Sequence, residues 1–429
     1  MLLIGKLLTY WLSIIFWSHA PSTLVEKMQL RKFRKIFEFA RSNSPFYKKF
    51  YYDHGVSNLQ IRSWEDVEKV PIVDKYTMKQ QVYEDLLTRP LNNGINIHST
   101  SGSTGEPFNI AYSKFEDYTG HIRLIWLLMK NGYTPFKKMT LVTKNEPGQK
   151  FEVEEDISIV GKLQQKLHIL ERDVISIYEP PTKIIARLEE TKPYVLWTTP
   201  SAAAVIAQEL KREDKKLKIP LLLLISENVS EKDVCLFQEY LCNNYINHYG
   251  CMEAPTMSYG INNNAEQISI PNFVLFEQVN LRKVDKIPVG DLIITNFSNK
   301  TMPFVRYSLG DFAEVINQNG KHCKRIGKIF GRLNDTIEIN GEQIFHMKLS
   351  QIFRGYMKCE QYKLVQRPDQ SLELQLKISE DASAQDVSKE AEILWHDRFP
   401  NIPISITFKD QFHIDSKTGK YKVIERRFS

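Results

Sequence analysis

Apolar residues recur at two different spacings along the chain, and the change of spacing separates its regions. Spacings of three and four residues predict helices early in the chain, at 21–41, 63–70, 114–130 and 159–170. Between residues 173 and 242, short apolar runs alternate with helical segments, which is typical of a largely parallel sheet with both faces covered. The strands predicted there are 173–178, 194–198 and 221–225, and the helices are 181–191, 200–212 and 231–242.

After about residue 273 the apolar runs become shorter and alternate with polar positions, at 273–279, 290–295 and 312–316. These runs predict a β-rich subdomain. A polar break follows at 331–335. Beyond it the pattern predicts strands at 337–339, 342–345, 372–378 and 404–408 and a helix at 388–398, with a hairpin turn at Asn340-Gly341. The predicted fold is α/β, in part α+β, with an apolar segment at 1–20, a large domain at 21–331 and a small C-terminal α+β domain at 332–429.

Composition narrows the class of protein. A chain of 429 residues with 42% hydrophobic and 25% charged residues is globular and long enough for two or three domains. A net charge of +6 suits an anionic ligand such as a nucleotide but is too small to indicate nucleic-acid binding, and no RNA- or DNA-binding motif is present. The five cysteines form no CxxC pair, which predicts neither a disulfide framework nor a zinc site and favours a reducing, cytoplasmic setting.

The N-terminus supports two interpretations. Residues 1–17 are apolar except for Lys6, Thr9 and Ser13, and a stretch with five cations and interleaved apolar residues follows at 27–37. One interpretation is a peripheral helix lying on the anionic inner face of a membrane. The other is a buried first helix followed by a helix with a solvated basic face. A signal peptide is disfavoured by Pro21, directly after the candidate cleavage site.

A loop rich in small hydroxyl residues follows the predicted strand at 95–98. Its candidate phosphate-contacting residues are Thr100, Ser101, Gly102, Ser103, Thr104 and Gly105. Small residues let the backbone approach a ligand closely, so that successive N–H groups and hydroxyls can surround an anion. The GK[ST] ending of a Walker A loop is missing. The same composition also occurs in ordinary solvent loops.

This loop, with Glu106-Pro107 after it, resembles the phosphate loop of the adenylate-forming superfamily. It is most similar to the phenylacetate–CoA ligase branch, which includes capsule-biosynthesis adenylyltransferase-like proteins. Many superfamily loops carry a lysine where this chain has Phe108, so no loop lysine is expected here. The resemblance implies that the chain uses ATP and Mg²⁺ to activate a carboxylic acid as an acyl-AMP.

Further motifs follow in the family's order. The segment 247–253 resembles the aromatic-Gly-x-x-Glu motif, which implies that Tyr249 stacks on adenine beside Gly250 and that Glu253 holds Mg²⁺. The segment 302–311 resembles the family's Pro-x-x-Arg-Tyr-x-x-Gly-Asp motif. It implies that Asp311 accepts the ribose hydroxyls, with Arg306 as a structural ion-pair partner nearby; a buried Asp–Arg pair without a ligand is the alternative.

Two motifs lie at the predicted domain boundary and near the C-terminus. The segment 327–335 resembles the Gly-Arg-x-x-Asp hinge motif, with Arg332 reaching the ribose or phosphate and Asn334 at the pivot position. Thr418-Gly419-Lys420 resembles the Ser/Thr-Gly-Lys motif of a mobile C-terminal domain. The resemblance implies that Lys420, Glu253 and Thr104 are catalytic, with Lys420 neutralising charge that develops during nucleotidyl transfer.

The substrates are less defined. By resemblance the acyl pocket includes Ser226, Glu227 and His248, and the acceptor is CoA or another thiol or amine, with a role in cell-surface polysaccharide synthesis as one hypothesis. Many relatives have glycine where this chain has Ser226, which narrows the space beside that backbone. The alternative functions are transfer of AMP to another nucleophile and a non-catalytic scaffold that retains the fold.

Overall fold

A computed structural model of the chain describes residues 2–99, 108–143, 172–229, 231–262, 266–284, 287–316, 325–332, 336–339, 342–345, 349, 359–379, 382–410, 412 and 423–426. The helices are α1 Leu2–His19, α2 Ser22–Asn43, α3 Pro45–Asp53, α4 Trp64–Glu68, α5 Lys75–Lys79, α6 Lys114–Lys130, α7 Pro181–Thr191, α8 Pro200–Arg212, α9 Glu231–Leu236 and α10 Ala384–Arg398. A 3₁₀ turn spans Tyr83–Leu86 and a π turn spans Phe237–Leu241.

The strands of the region before residue 333 are β1 Val73–Asp74, β2 Ile95–Ser99, β3 Asn109–Ser113, β4 Met139–Thr143, β5 Arg172–Ser176, β6 Val195–Thr198, β7 Ile219–Leu224, β8 Cys242–Cys251, β9 Ala254–Ile261, β10 Gln267–Ser269, β11 Val274–Val284, β12 Ile287–Asn296, β13 Tyr307–Glu314, β14 Arg325–Ile326 and β15 Ile329–Arg332. Those after it are β16 Thr336–Ile339, β17 Glu342–Phe345, β18 Cys359–Gln366, β19 Leu372–Ile378, β20 Ser405–Phe408 and β21 Ile424–Arg426.

An eight-stranded sheet forms the centre of the large region, in the order β14-β10-β9-β8-β7-β6-β4-β5. From β5 to β8 all neighbouring strands are parallel, whereas β9, β10 and β14 continue the sheet in antiparallel fashion. The predicted strand–helix alternation between 173 and 225 is therefore confirmed. Strand β7 is the most apolar and nearly all of it is buried, as expected for a strand covered on both faces.

A five-stranded sheet contains β1, β13, β12 and β11 in that order, with β15 paired to β13. It is antiparallel except for the β1–β13 pair, which agrees with the predicted β-rich subdomain. Strands β2 and β3 form a separate antiparallel hairpin. The largest hydrophobic core unites residues of both sheets with the N-terminal helices and α6.

The C-terminal region contains a second set of elements. The β16–β17 hairpin pairs Ile339 with Glu342, in the register expected for the predicted turn at residues 340 and 341, which lie outside the described residues. Strands β20, β19, β18 and β21 form a four-stranded sheet. Together with the hairpin and α10, they build a hydrophobic cluster whose buried members all lie between residues 337 and 424. The boundary at 331/332 stays a prediction.

Two predicted elements differ from those observed. Helix 63–70 is shorter, because the guanidinium of Arg306 binds the carbonyl oxygens of Glu68 and Val70 and the chain then turns into β1. The helix predicted at 231–242 becomes a π turn after Leu236 and ends at Cys242, which begins β8 by pairing with Ile219 of β7. The predicted helix 159–170 lies outside the described residues.

The N-terminal segment forms α1, which packs against α6, and α2, whose buried side packs into the core beside α3. Ile14 is fully buried, whereas Leu8 and Leu12 are each 58% exposed. The first helix is therefore buried on one side only, which neither of the two interpretations of the sequence describes completely. Among the helices in the described part of the chain, none is long and apolar enough to span a bilayer.

Candidate active site

Three side chains from different strands meet beside the middle of β13. The hydroxyl of Tyr249, on β8, donates a hydrogen bond of 2.7 Å to Oδ2 of Asp311 on β13. Asp311 lies opposite Arg332 in the β13–β15 register, and the Arg332 Nε lies 3.9 Å from Asp311 Oδ1. Strand pairing thus brings together the residues predicted to contact adenine and ribose, and their contacts with a nucleotide stay predictions.

The glycine of the aromatic motif is required by packing rather than by backbone conformation. A Cβ built on Gly250 would lie 2.7 Å from the backbone nitrogen of Thr256 and 3.0 Å from the His248 ring. Any side chain at this position would push β8 away from β9 and displace the neighbouring Tyr249. Gly331 is different, because its φ of +109° is one that L residues rarely adopt.

Glu253 lies in the β8–β9 connection and is 6% exposed. Its Oε1 accepts a hydrogen bond of 3.1 Å from the Tyr307 hydroxyl. Burial raises the pKa of Tyr307 and that of the Cys251 thiol, which also bonds to Glu253, and the negative charge of Glu253 raises both further. Both groups therefore remain protonated near neutral pH and can donate to the carboxylate.

The surroundings of Glu253 fit a role as a single magnesium ligand. Its two neighbours at hydrogen-bond distance are uncharged donors, and a carboxylate retains acceptor capacity beyond two hydrogen bonds. Mg²⁺ bound to a nucleotide commonly takes one or two carboxylates, with phosphate oxygens and water completing the octahedron. Within the described residues, no group of three or more His, Cys, Asp or Glu side chains is arranged to hold a metal ion.

The β2–β3 hairpin, whose two strands flank the predicted phosphate loop in the sequence, is hydrogen-bonded to the residue before Glu253. Ser99 and Asn109 face each other across the hairpin, and their side chains are 2.6 Å apart. On β3, the Tyr112 hydroxyl donates a 2.7 Å hydrogen bond to the carbonyl of Met252, the residue before Glu253. Residues 100–107 themselves, including the candidate contacts from Thr100 to Gly105, lie outside the described residues.

Lys75 is a residue of this site that the sequence analysis missed. It is the first residue of α5, directly after β1, which pairs in parallel with β13. Its ammonium nitrogen lies 5.8 Å from the centroid of the Phe108 ring, close enough for a cation–π contact. Burial lowers the pKa of Lys75, the nearby charge of Glu253 opposes that shift, and Arg332 reinforces it.

The loop lacks a lysine at residue 108, but a lysine on α5 is a neighbour of that position. Many superfamily loops carry a lysine there, and in this chain a lysine from α5 lies over the phenylalanine ring. Nothing in the sequence near Lys75 distinguishes it from the other members of a set of 57 lysines and arginines. Lys75 lies near the site because Val73 pairs in parallel with Tyr307. A strand of two residues is too short to be predicted from hydrophobic periodicity.

Arg306 forms a buried structural ion pair, but its partner is not Asp311. Its guanidinium binds Glu277 on β11, with N–O distances of 3.0 to 3.3 Å, and both side chains are less than 9% exposed. The alternative of a buried Asp311–Arg306 pair is therefore wrong. Arg306 adopts a left-handed φ of +46° just before β13.

Two of the three acyl-pocket candidates, Glu227 and His248, form hydrogen bonds within the protein. The carboxylate of Glu227 accepts 3.0 Å hydrogen bonds from the backbone nitrogen and the hydroxyl of Ser201, in the first turn of α8. His248 bonds to the Thr256 hydroxyl at 3.0 Å, and burial lowers its pKa to about 4, so that the ring is neutral at pH 7. Ser226 adopts a left-handed φ of +68°.

A left-handed conformation favours glycine, which adopts it without steric cost, and the resemblance to the family implied glycine at the position of Ser226. Ser226 retains the backbone conformation and adds an exposed hydroxymethyl group. Two predicted catalytic residues, Thr104 and Lys420, and the predicted pivot Asn334 lie outside the described residues.

Comparisons with known proteins point to one superfamily. No protein-family model matches the chain. Phenylacetate–coenzyme A ligases are similar at 21% identity: that of Pseudomonas putida over 78% of this chain and 77% of its own, that of Thermus thermophilus over 84% and 83%, and that of Aromatoleum evansii over 93% and 94%.

Solved structures agree in fold. A 2-hydroxyisobutyryl-CoA ligase in its postadenylation state, in complex with 2-HIB-AMP, superposes with a TM-score of 0.70 at 17% identity, over 92% of this chain and 88% of that one. The same enzyme with 2-HIB-AMP and CoA, in its thioesterification state, gives 0.58 at 18% identity, over 95% and 91%. Identities this low show a common fold and leave the substrate open.

The mixed α/β architecture is shared with solved adenylate-forming CoA ligases. The curated relatives support the adenylate-forming superfamily, and within it similarity to the phenylacetate–CoA ligase-like branch. The predicted fold class and the predicted enzyme class, an acyl-adenylate-forming ligase, are thereby confirmed.

Proposed function

We propose that this chain activates a small-molecule carboxylic acid with ATP and transfers the acyl group to CoA. In the first step a carboxylate oxygen forms a bond to the α-phosphorus of ATP, and pyrophosphate leaves. In the second step the thiol of CoA attacks the acyl carbon, and AMP leaves. The observation that carries the proposal is the arrangement of Tyr249, Asp311, Arg332 and Glu253 along β13, beside the hairpin whose strands flank the predicted phosphate loop in the sequence.

Each described residue of the site has a proposed role. The Tyr249 ring stacks on adenine, and its hydroxyl orients Asp311, whose carboxylate accepts the ribose hydroxyls. Arg332, 42% exposed, offers a fixed cation to the ribose or α-phosphate. Glu253 with the ATP phosphates would hold Mg²⁺, which would neutralise phosphate charge when bound.

Lys75 supplies the cation that the phosphate loop lacks. Its partial burial lowers the pKa of the ammonium group, yet the carboxylate of Glu253 favours the charged form. A cation held by a rigid pair of elements, β1 and α5, contributes electrostatic stabilisation without reorganisation during the reaction. We propose that Lys75 contacts the β- or γ-phosphate and stabilises charge that develops on departing pyrophosphate.

The remaining assignments extend the same proposal. Thr100 to Gly105 cradle the phosphates, Lys420 reaches the α-phosphate and the substrate carboxylate, and Asn334 is the pivot between residues 21–331 and 332–429. The chain acts in the cytoplasm, where ATP and CoA are available and where Cys235, Cys242, Cys251 and Cys359 stay reduced, as they are here. A role in cell-surface polysaccharide synthesis stays a prediction.

ATP–pyrophosphate exchange on the purified protein tests the proposal. A panel of aryl, fatty, hydroxy and amino acids is offered with Mg²⁺, and the Lys420→Ala variant serves as the control. We expect exchange that depends on one class of acid and falls sharply in the variant, followed by CoA-dependent release of AMP.

Two outcomes would contradict the proposal, and each supports a different alternative. Pyrophosphate release that requires an amine or alcohol and no carboxylic acid would indicate transfer of AMP itself. Absence of ATP binding by calorimetry, with the protein folded, would indicate a scaffold that retains the fold.

A further inference from the structure

One face of α1 is apolar and exposed. Leu8, Leu12, Ile15 and Phe16 are 38% to 58% exposed. At 100° per residue these four positions lie within an arc of roughly 100° on one side of the helix. This exposed apolar face, defined by the four residues, differs from the scattered single apolar side chains that are usual on protein surfaces.

The opposite face of α1 is fixed to the large domain. Ile14 is fully buried, and Tyr10 and Trp11 pack against the main core. The Tyr10 hydroxyl accepts a 2.8 Å hydrogen bond from Arg123 on α6, and Ser13 accepts one of 3.0 Å from Asn272. The helix is therefore held on the domain, and the exposed apolar face is presented in a fixed orientation.

Polar side chains at the edges of the exposed apolar face bond within the helix. The hydroxyl of Thr9 donates to the carbonyl of Gly5 at 2.8 Å, and Ser18 donates to that of Ile14 at 2.7 Å. His19 makes a 2.8 Å contact with the carbonyl of Ile15. Such bonds to the preceding turn satisfy donors that would otherwise need water, so this face can leave water without losing those hydrogen bonds.

The adjoining helix α2 contributes positive charge. Lys27, Arg31 and Lys35 follow one another at four-residue spacing on the exposed side of α2, and the exposed Leu24 lies one turn before them. This set of three cations is called the basic stripe below. Other cations of α2 are used internally: Lys32 and Arg34 donate to the carbonyls of Asn272 and Ile61.

Charge decides between the partners that an apolar face could have. The exposed charged side chains between residues 5 and 38 are four cations and one anion, Lys6, Lys27, Arg31, Lys35 and Glu38, so this part of the surface is net positive. A second copy of the chain would bring an identical set of cations to the same interface and would be repelled. An anionic lipid surface instead attracts the basic stripe and accepts the apolar side chains below its headgroups.

We propose that the exposed apolar face and the basic stripe together form a docking surface for an anionic lipid bilayer, on which the folded domain lies. The proposal goes beyond the catalytic function and does not depend on it, since no residue of the candidate active site takes part. Acyl activation would then take place beside the membrane surface.

Co-sedimentation of the full-length protein with vesicles tests the docking surface. We compare vesicles of phosphatidylcholine with vesicles that also contain phosphatidylglycerol, at low and high salt. We expect binding to the mixed vesicles that weakens as salt is raised. No binding to the mixed vesicles at low salt would overturn the proposal.

Variants separate the two parts of the surface. Leu12→Glu/Phe16→Glu should weaken vesicle binding at least about tenfold by preventing insertion. Lys27→Gln/Arg31→Gln/Lys35→Gln should weaken it at least about tenfold and remove most of the salt dependence. Full binding by either variant would overturn the corresponding part of the proposal.

Matched controls exclude general effects of charge and exposure. Ile393→Glu changes an aliphatic residue that is 68% exposed on α10. Lys211→Gln/Lys215→Gln/Lys216→Gln removes three exposed cations near the end of α8. Both controls should bind vesicles like the unaltered protein, and a comparable loss in either would contradict a defined docking surface.

Two further measurements keep the outcomes distinct. Far-ultraviolet circular dichroism and ATP–pyrophosphate exchange should be unchanged in Leu12→Glu/Phe16→Glu, which shows that the fold and the active site are intact. Sedimentation velocity without lipid should show the same state for this variant and the parent chain. A lipid-free dimer that this variant abolishes would mean that a second copy covers the face, which would overturn the bilayer proposal.

Discussion

The two ends of the Arg306–Asp311 segment place opposite charges side by side in very different surroundings. At one end, the Arg306–Glu277 pair is almost completely buried and also holds the carbonyls of Glu68 and Val70. At the other end, the Asp311–Arg332 pair is separated by 3.9 Å and partly open to solvent. The segment 306–311 thus contributes Arg306 to a buried structural ion pair and Asp311 to a pair that is partly exposed to solvent.

The buried pair also determines where the site's lysine lies. The backbone nitrogen of Val73 donates to the carbonyl of Arg306, and β1 then pairs with β13. Lys75 follows two residues later and reaches Phe108. Arg306 is therefore a positioning residue for Lys75, whereas Asp311 and Arg332 are exposed enough to contact nucleotide directly.

Removing the buried cation should have the largest effect on stability. Arg306→Met leaves the Glu277 carboxylate buried without its partner, and we expect a loss of about 3–5 kcal/mol in the free energy of unfolding. Arg332→Met, at the open end, should cost less than about 1 kcal/mol. Urea unfolding followed by tryptophan fluorescence measures both.

A second substitution distinguishes charge burial from loss of packing. Arg306→Met/Glu277→Leu should be more stable than Arg306→Met alone, because no uncompensated charge remains. If the double variant is no more stable than the single one, the carbonyl contacts of Arg306 with Glu68 and Val70 dominate instead.

Removing the carboxylate at the open end should reverse the pattern, with a large loss of activity at small cost in stability. Asp311→Ala deletes the proposed acceptor of both ribose hydroxyls, and hydrogen bonds to a charged group contribute roughly 1.5–3 kcal/mol each. We expect kcat/KM for ATP in pyrophosphate exchange to fall roughly 10²-fold or more.

A carboxylate on the neighbouring strand provides the matched control. Asp291, on β12, pairs with Phe312 of β13, so its side chain lies on the other face of the sheet from that of Asp311. On that face Asp291 forms an ion pair with Arg282. Asp291→Ala should leave the KM for ATP unchanged. Equal losses in the two variants would mean that Asp311 acts through the sheet and not on the nucleotide.

The sequence predicts the residues at the two ends of the Arg306–Asp311 segment unequally well. The sequence predicts four residues of the site because each lies in a recognisable motif: Tyr249, Glu253, Asp311 and Arg332. Hydrophobic periodicity also predicts the order of strands and helices that brings them together. The partner of Arg306 could not be predicted, because Glu277 is 29 residues away and is selected by the pairing of β11, β12 and β13.

Other features also depended on tertiary contacts. The α4 helix ends where the Arg306 guanidinium donates a hydrogen bond to the carbonyl of Glu68. The helix before β8 ends where Cys242 pairs with β7. The one-sided burial of α1 depends on Arg123 and Asn272, which are more than a hundred residues away. The hydrophobic periodicity of the sequence does not predict any of these contacts.

Lys75 lies between the two ends, and its replacement should have an intermediate effect. Lys75→Met keeps an unbranched chain of similar length beside Phe108 and removes the charge. We expect kcat of pyrophosphate exchange to fall roughly 10- to 10²-fold, with a smaller change in unfolding free energy than in Arg306→Met. Lys79→Met, at the end of α5, is the control.

A charge-restoring variant makes the interpretation of Lys75 specific. Lys75→Arg should recover part of kcat, because a cation returns near the phosphates although its geometry differs. The double variant Lys75→Met/Phe108→Lys, which moves the lysine to residue 108, should also recover part of kcat. Failure of both, with the fold intact, would indicate that Lys75 stabilises the unliganded protein and does not act on phosphate.

The smallest expected effect concerns the loop after β7. Ser226 has a φ of +68°, where a Cβ costs about 1 kcal/mol, and glycine returns part of that through its greater freedom in the unfolded chain. Ser226→Gly should therefore raise the free energy of unfolding by up to about 1 kcal/mol. Lys192→Gly, at a left-handed residue after α7, should give a similar gain far from the site.

Activity separates these two glycine variants even where stability does not. Ser226 directly precedes Glu227, which is bonded to the first turn of α8, so the absence of a side chain at 226 opens space beside a proposed acyl-pocket residue. We expect Ser226→Gly to change the KM for the carboxylic acid or widen the range of acids accepted, and Lys192→Gly to change neither. Identical acid profiles for both variants would exclude Ser226 from the acyl pocket and leave only its backbone effect.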